Sequence, residues 1–405
     1  MKQFVVRLNL NCLFLASSIF LIFVSLALSG CRESSTSGTK IRTFVAGINI
    51  FDDAIDSSGN IWVANFGNGI PGLGPMNSNV MKLSPTGTVI GTYVAGSVPI
   101  GMAIDKSGNV WVENFGNGTP GLGLTDSNVT ELSPTGTTIT TCVAGKFPAG
   151  GIAIDASGNI WVTNWGAFSE IPGIPGMSPM ESNVTELSST GAFLTTVVAG
   201  SSPGGIAIDK NGNIWVANKG NGTPGLGLTD SNVTELSPTG GFITTVVAGS
   251  KPEGIAIDPS GNVWTVNKGN GIPGTGPMDS SVTELIVSSG TVISTNTYAA
   301  GSLPEIVAID SAGNVWVSNG YGVGGTPTNS SVMELNSSGK LIHTYTTGYA
   351  PYGIAIDPSG NVWVTNYGNG TAGLGLTDSN VQEYMGVAKG PQYFPYSGPQ
   401  WPGAE

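Results

Sequence analysis

The sequence predicts an all-β fold, a seven-bladed β-propeller of four-stranded antiparallel blades, and three observations point to it. Seven copies of the phrase I-D-x-x-G-N-[IV]-W-[VT]-x-N place Trp62, Trp111, Trp161, Trp215, Trp264, Trp316 and Trp363 at intervals of 47 to 54 residues. A period of roughly 40 to 50 residues holding several short strands is the sequence mark of a propeller. Within each copy, four strand-like stretches alternate with turn residues, enough for one blade. A phrase ending in Val-Ala-Gly or a close variant ends each unit, precedes the first copy at Arg42–Gly47, and is missing after the seventh. Residues 40–46 are therefore expected to supply the fourth strand of the seventh blade, which pairs the two chain ends and removes the edges of an open ring.

Along the chain, residues 1–30 stand apart from the repeats. Lys2 and Arg7 flank an apolar run reaching Leu28, and Leu28-Ser29-Gly30-Cys31 follows. A charged start, an apolar middle and a small-residue cleavage site make a secretory leader. The last four residues resemble the lipobox of bacterial lipoproteins. That resemblance implies a lipid on Cys31 and a mature chain anchored in the bacterial cell envelope, on its periplasmic or extracellular face, without spanning the membrane. Residues 31–40 are small and polar and are expected to form a flexible tether. Residues 41–386 are expected to form the propeller. In the second copy, Gly101–Asp105 and Asn109–Asn114 read as the two inner strands. The turn between them has Asp105 to accept turn N–H groups and Gly108 to supply positive φ. A third strand begins at Asn128, Ser133–Gly136 turns the chain, and Thr137–Ala144 reads as the fourth. Residues 387–405 form a Pro- and aromatic-rich tail.

Whatever the copies share is scaffold. The repeated Trp sits between apolar neighbours and is expected to fill the wedge between blades. The repeated Asp brings one carboxylate per turn, too few ligands for Ca²⁺. Cys12 falls in the leader and Cys31 would carry lipid, so Cys142 is left alone and no disulfide framework is expected. The charge of −12, with only 14 Lys and Arg, argues against nucleic acid as a partner. A monomer is expected.

The phrase Pro-x-Gly-Ile-Ala-Ile-Asp-x-x-Gly-Asn-[IV]-Trp-Val-x-Asn, present at Pro203–Asn218 and Pro351–Asn366, resembles the repeat of NHL-type propellers. It is most similar to the streptogramin (virginiamycin B) lyase group and more distantly to gluconolactonase/regucalcin-like propellers. The first resemblance implies elimination chemistry with Mg²⁺ and with His and Glu near the channel mouth. Here the position after Pro holds Ile100, Gly204, Glu253, Glu305 and Tyr352, with Gly150 and Phe51 at the looser equivalents, and none is His. The second strand ends in Asn65, Asn114, Asn164, Asn218, Asn267, Asn319 and Asn366 rather than Glu. The lone histidine, His343, falls in an outermost strand. The acid and base of the lyases thus have no counterpart, and the expectation leans away from an enzyme. The gluconolactonase resemblance implies a divalent-metal ligand at Pro252-Glu253-Gly254, repeated at Pro304-Glu305. Asp52 of the irregular Phe51-Asp52-Asp53 is its third candidate. Such oxygen ligands suit Ca²⁺ or Mg²⁺.

The mouth residues and the long Gly/Pro-rich loops between second and third strands share one face of a propeller. The residue after each repeated Asn varies there: Phe66, Phe115, Trp165, Lys219, Lys268, Gly320 and Tyr367. An aromatic arc from blades 7, 1, 2 and 3 is expected to face a cationic arc from blades 4 and 5, a surface suited to a saccharide, peptide or protein ligand. The plainer alternative is that these side chains pin their own loops. The expected function is an envelope-anchored binding module. The alternative is a metal-dependent lyase or a lactonase-type hydrolase using the mouth carboxylates.

Overall fold

The computed structural model describes residues 32–36, 38–67, 78–116, 127–165, 182–220, 231–269, 280–320, 330–368 and 379–392. These residues hold 29 strands and no helix, arranged as seven antiparallel sheets around one axis. Blade 1 consists of Ile50–Ile55, Ile61–Asn65, Asn79–Leu83 and Val89–Tyr93, innermost strand first. Blades 2 to 6 repeat that order. Blade 7 takes its three inner strands, Pro351–Ile356, Val362–Asn366 and Asn380–Tyr384, from the end of the chain. Its fourth, Thr39–Phe44, comes from the beginning. Ile41 lies opposite Tyr384 and Phe44 opposite Val381, so the ring is closed as the repeat order required.

One segment departs from expectation. Arg32–Thr36, read as tether, adds a fifth strand outside Thr39–Phe44, in register from Arg32 opposite Thr43 to Thr36 opposite Thr39. Gly38, at φ 88°, makes the tight reversal possible. A polar Ser/Thr segment reads as linker by composition, yet an unpaired edge with free N–H and C=O groups accepts it.

The repeated phrase folds locally for two linked reasons. In blade 1, Asp56 Oδ1 accepts the N–H groups of Ser58 and Asn60 at 3.0 and 2.9 Å, fixing the turn. Its Oδ2 accepts Trp62 Nε1 at 3.2 Å. The same Trp-to-Asp bond spans 3.1 to 3.4 Å in blades 2 to 5 and 7. One carboxylate thus shapes the turn and satisfies the only polar atom of a fully buried indole. Each Trp packs with the inner strands of the following blade, as Trp62 does with Met102 and Ile104, so the core is a ring of inter-blade wedges.

The Val-Ala-Gly phrase, read as the end of the fourth strand, lies just beyond it, because the strands stop at Tyr93, Cys142, Val197 and Val246. It is the crossing to the next blade. Asn114 Nδ2 donates to Ala95 O at 3.0 Å, and a Cβ on Gly96 would lie 2.5 Å from the Asn114 side chain. That contact recurs in every blade, which explains why Gly and Asn repeat together.

The start of the tail folds back. Lys389 N donates to Asp310 Oδ2 at 2.9 Å, Ser311 N to Pro391 O at 2.8 Å, and Ile356 N to Gln392 Oε1 at 3.0 Å. Residues 387–392 therefore bind blades 6 and 7 together on the side away from the mouth. Asp310 Oδ2 is engaged there, and Trp316 Nε1 alone among the seven indoles lacks a hydrogen-bond partner.

Candidate functional site at the channel mouth

Two sets of residues converge on the mouth. The first follows the repeated Asn at the end of each second strand. A backbone bond fixes these residues: Phe115 N donates to Val98 O at 2.9 Å, Lys219 N to Ser202 O at 3.0 Å, and Tyr367 N to Ala350 O at 2.9 Å. The acceptor residue is left-handed each time, with Val98 at φ 59° and Ala350 at φ 53°. Non-glycine residues rarely adopt that conformation, so backbone strain is spent on aiming these side chains. The second set is the second residue of the innermost strand in blades 1, 2, 5, 6 and 7: Phe51, Ile100, Glu253, Glu305 and Tyr352. Together they surround a cavity of about 260 Å³ lined chiefly by Phe51, Asp52, Phe66, Phe115, Trp165, Lys219, Glu253, Lys268 and Tyr352. The Gly/Pro-rich loops expected to frame this face lie outside the described residues.

All six residues expected to bind ligand sit at this mouth, and they divide by chemistry. Phe66 and Tyr367 join through Phe51, with ring centroids 5.6 and 5.5 Å from it. Tyr352 packs on Phe51 at 4.5 Å. Phe115 and Trp165 meet edge to face at 5.9 Å. The sequence identified Phe51 and Tyr352 only as places without His. Their central place in the aromatic wall was readable only from their position, second in an innermost strand.

Opposite this wall, the expected cationic arc is a charge-balanced ladder. Lys219 Nζ lies 2.5 Å from Glu253 Oε1, Lys268 Nζ 3.5 Å from Glu253 Oε2, and Lys268 Nζ 2.6 Å from Glu305 Oε2. Lys219 also stands 4.3 Å over the Trp165 ring, joining ladder to aromatics. Burial would raise the Glu253 carboxyl, but Lys219 and Lys268 outweigh it and hold it below its ordinary range. Burial depresses the Lys219 ammonium despite Glu253. It acts the same way on Lys268, where Glu253 and Glu305 prevail and raise the pKa. Glu305 is raised, by burial first and Glu253 second, against the pull of Lys268.

The ladder decides how the expected metal ligands are used. Glu253 and Glu305 point at ammonium groups, and Asp52 belongs to blade 1, on the aromatic side of the cavity. Among the described residues no three His, Cys, Asp or Glu side chains group as a metal set. Glu253, Glu305 and Asp52 do not fit a shared Ca²⁺ or Mg²⁺, because a carboxylate already neutralised by one or two lysines is a poor hard-cation ligand.

Asp52 has a different character. Its position holds Gly101, Gly151, Gly205, Gly254 and Gly353 in five other blades, where inner strands approach so closely that a Cβ on Gly205 would lie 2.7 Å from Glu253 O. In blade 1 the carboxylate crosses instead to blade 2 and accepts Met102 N at 2.9 Å. Burial pushes its pKa up to about 7, against the hydrogen bonds from the Met102 and Asp53 N–H groups. Asp53, buried behind it, is raised well above the carboxylate range by burial and then by Asp52. Sequence reasoning gave no role to Glu113, whose Oε1 accepts Gly150 N at 3.1 Å from fully inside blade 2. The available signal was a Glu where other blades carry Ala64, Thr163, Ala217, Ser318 and Thr365. His343 lies exposed on the outermost strand of blade 6, opposite Glu334 and away from the mouth.

No family model matches the chain, and no curated protein matches it. Among solved structures, a streptogramin B lyase superposes with a TM-score of 0.58 at 14% identity, covering 85% of this chain and 97% of that one. A gluconolactonase from Xanthomonas campestris superposes with a TM-score of 0.49 at 13% identity, covering 88% and 94%. A structure of unknown function from Bacteroides caccae gives 0.45 at 13%, covering 66% and 90%. At such identities the likeness is one of architecture: this chain is a seven-bladed propeller with the fold of the streptogramin B lyase.

Proposed function

We propose that the protein is an envelope-anchored binding module, held by a lipid on Cys31, whose mouth cavity takes a small polyhydroxylated or zwitterionic ligand such as a saccharide or short peptide. The observation that carries this reading is the pairing of an aromatic wall with an ion-pair ladder across one cavity. Flat apolar faces stack on the rings of Phe66, Phe115 and Trp165. Hydroxyl or amide groups exchange hydrogen bonds with Lys219, Glu253 and Lys268, whose charges are balanced once Glu305 is counted, so a neutral ligand leaves no charge unpaired. The absence of lyase-type histidines at the mouth supports binding over elimination.

Asp52 favours a second reading, a lactonase- or lyase-type enzyme. A carboxyl with a pKa of about 7 at a cavity wall is suited to giving or taking a proton near neutral pH. One experiment addresses both. A panel of saccharides and short peptides is screened by calorimetry, and each hit is followed for chemical change. Binding without turnover, weakened at least tenfold in a Phe115→Ala/Trp165→Ala double variant, is the expected result. Unchanged affinity in that variant rules out the aromatic wall as the site. Turnover abolished by Asp52→Asn would instead establish the enzyme.

A further inference from the structure

The mouth cavity has two electrical poles. Of the described residues, the charged side chains lining it are Asp52 on the aromatic side and Lys219, Glu253 and Lys268 on the ladder side. Glu305, the fourth member of the ladder, is buried and lines none of it. The ladder therefore presents two ammonium groups and one carboxylate to the cavity, an excess of one cation. The aromatic side presents one carboxylate. Glu253 and Glu305 each meet a lysine, whereas the carboxylate of Asp52 meets the N–H groups of Met102 and Asp53. Among the described residues, no cation answers Asp52.

The rings beside Asp52 are in the same position. Lys219 stands over Trp165, and Lys268 lies 5.9 Å from the Tyr352 centroid. Among the described residues no cation stands over Phe51, Phe66 or Tyr367, which pack on one another with centroids 5.5 to 6.5 Å apart. A ring face attracts cations, and a carboxylate beside it adds to that attraction. The kind of cation follows from what this side lacks. A primary ammonium brings three donors, and Phe51, Phe66, Ile100 and Phe115 offer no side-chain acceptor. Burying such a group there leaves donors unsatisfied. A trimethylammonium has no donor, and its methyl groups pack on rings. The cavity, about 260 Å³, falls just below the roughly 300 to 1,000 Å³ of pockets for drug-sized molecules, so its ligand is small.

We propose that the ligand is a small zwitterion of the betaine type: its trimethylammonium lies against Phe51, Phe66 and Asp52, and its carboxylate reaches Lys219 and Lys268 across the cavity. This rests on the binding-module reading and names the ligand class for the same cavity. Such a molecule answers both poles at once, and its zero net charge preserves the balance of the mouth. A saccharide brings a charge to neither pole, and a choline-like cation brings one to a single pole.

The test is calorimetric titration of the full chain at pH 8, above the pKa of about 7 that burial gives Asp52. Four probes are compared: γ-butyrobetaine, the carboxylate in which tert-butyl replaces its trimethylammonium, γ-aminobutyrate and choline. The betaine is expected to bind at least tenfold more tightly than each of the other three. Asp52→Asn, which keeps an acceptor for Met102 N, should bring the betaine and its tert-butyl isostere to near parity. Lys219→Gln should do the same for the betaine and choline. The comparison of probes needs only the wild type, so the test survives a variant that does not fold. Parity of the betaine with any other probe would overturn the proposal, as would an unchanged preference in a folded Asp52→Asn. So would no betaine binding, and the saccharide and peptide panel then separates the failures. A hit weakened by Phe115→Ala/Trp165→Ala leaves the binding-module reading standing and removes only the ligand class; no hit at all removes both.

Discussion

The Asp of each first turn is the residue on which the repeat most depends. Asp258 accepts from Ser260 N, Asn262 N and Trp264 Nε1 at 2.9, 2.8 and 3.1 Å, and both Asp258 and Trp264 are buried. Asp258→Ala leaves an indole donor and two turn donors short of a partner and should cost about 3 kcal/mol. Because part of that cost is the orphaned indole, Asp258→Ala/Trp264→Phe should cost measurably less than the two single changes added together. Urea denaturation of the four proteins gives the coupling directly, and strict additivity would show the bond to be incidental. The sequence disclosed this residue's role in the turn, since Asp-x-x-Gly-Asn is recognisable turn chemistry. It did not disclose the bond to Trp, which depends on the first two strands being paired.

At the scale of single elements, what was legible followed periodicity, and what was not depended on contacts between distant segments. The closing strand could be read because a Val-Ala-Gly phrase was surplus at one end and missing at the other. Arg32–Thr36 could not, because its partner is an exposed edge rather than a pattern of its own. The ladder from Lys219 to Glu305 was half legible: both lysines and both acids were identified, but as rival arcs and metal ligands. Whether neighbouring blades bring acid to base depends on ring geometry. The tail was recognised only by its composition, yet residues 387–392 join blades 6 and 7. Removing residues 387–405 should lower stability by about 2 kcal/mol, since several backbone bonds are lost while Asp310 Oδ2 becomes free to meet Trp316 Nε1. A truncated chain as stable as the full one, by chemical denaturation, would show that the tail does not staple the ring.

Across the whole molecule, buried acids set the pH response. Glu235 is raised to about 7 by burial and then by Asp209, and Glu383 to about 7 by burial with Asp357 adding. Asp52 reaches about 7, and Glu131, Glu186 and Glu334 are raised chiefly by burial. An acid whose pKa is raised on folding binds its proton more tightly in the native state. Its contribution is fully present below the unfolded value near 4 and is lost as pH rises through about 7. Asp56, where hydrogen bonds from Asn60 and Lys82 outweigh burial, and Glu253 run the other way, but their contribution is lost only in more acidic solution. The melting temperature should therefore be higher at pH 5 than at pH 8, and Glu235→Gln should reduce the difference. A flat or rising profile over that interval would contradict the burial of these carboxyls.

The composite seventh blade also dictates an order of events during biosynthesis. The strand that shuts the ring is translated before all seven repeats, whereas its partner, Asn380–Tyr384, comes after the rest of them. Until that late segment emerges, six blades can form only an unsealed arc with a bare side at each end. Completion thus waits for the seventh repeat, and a product cut short before it has no means of sealing itself.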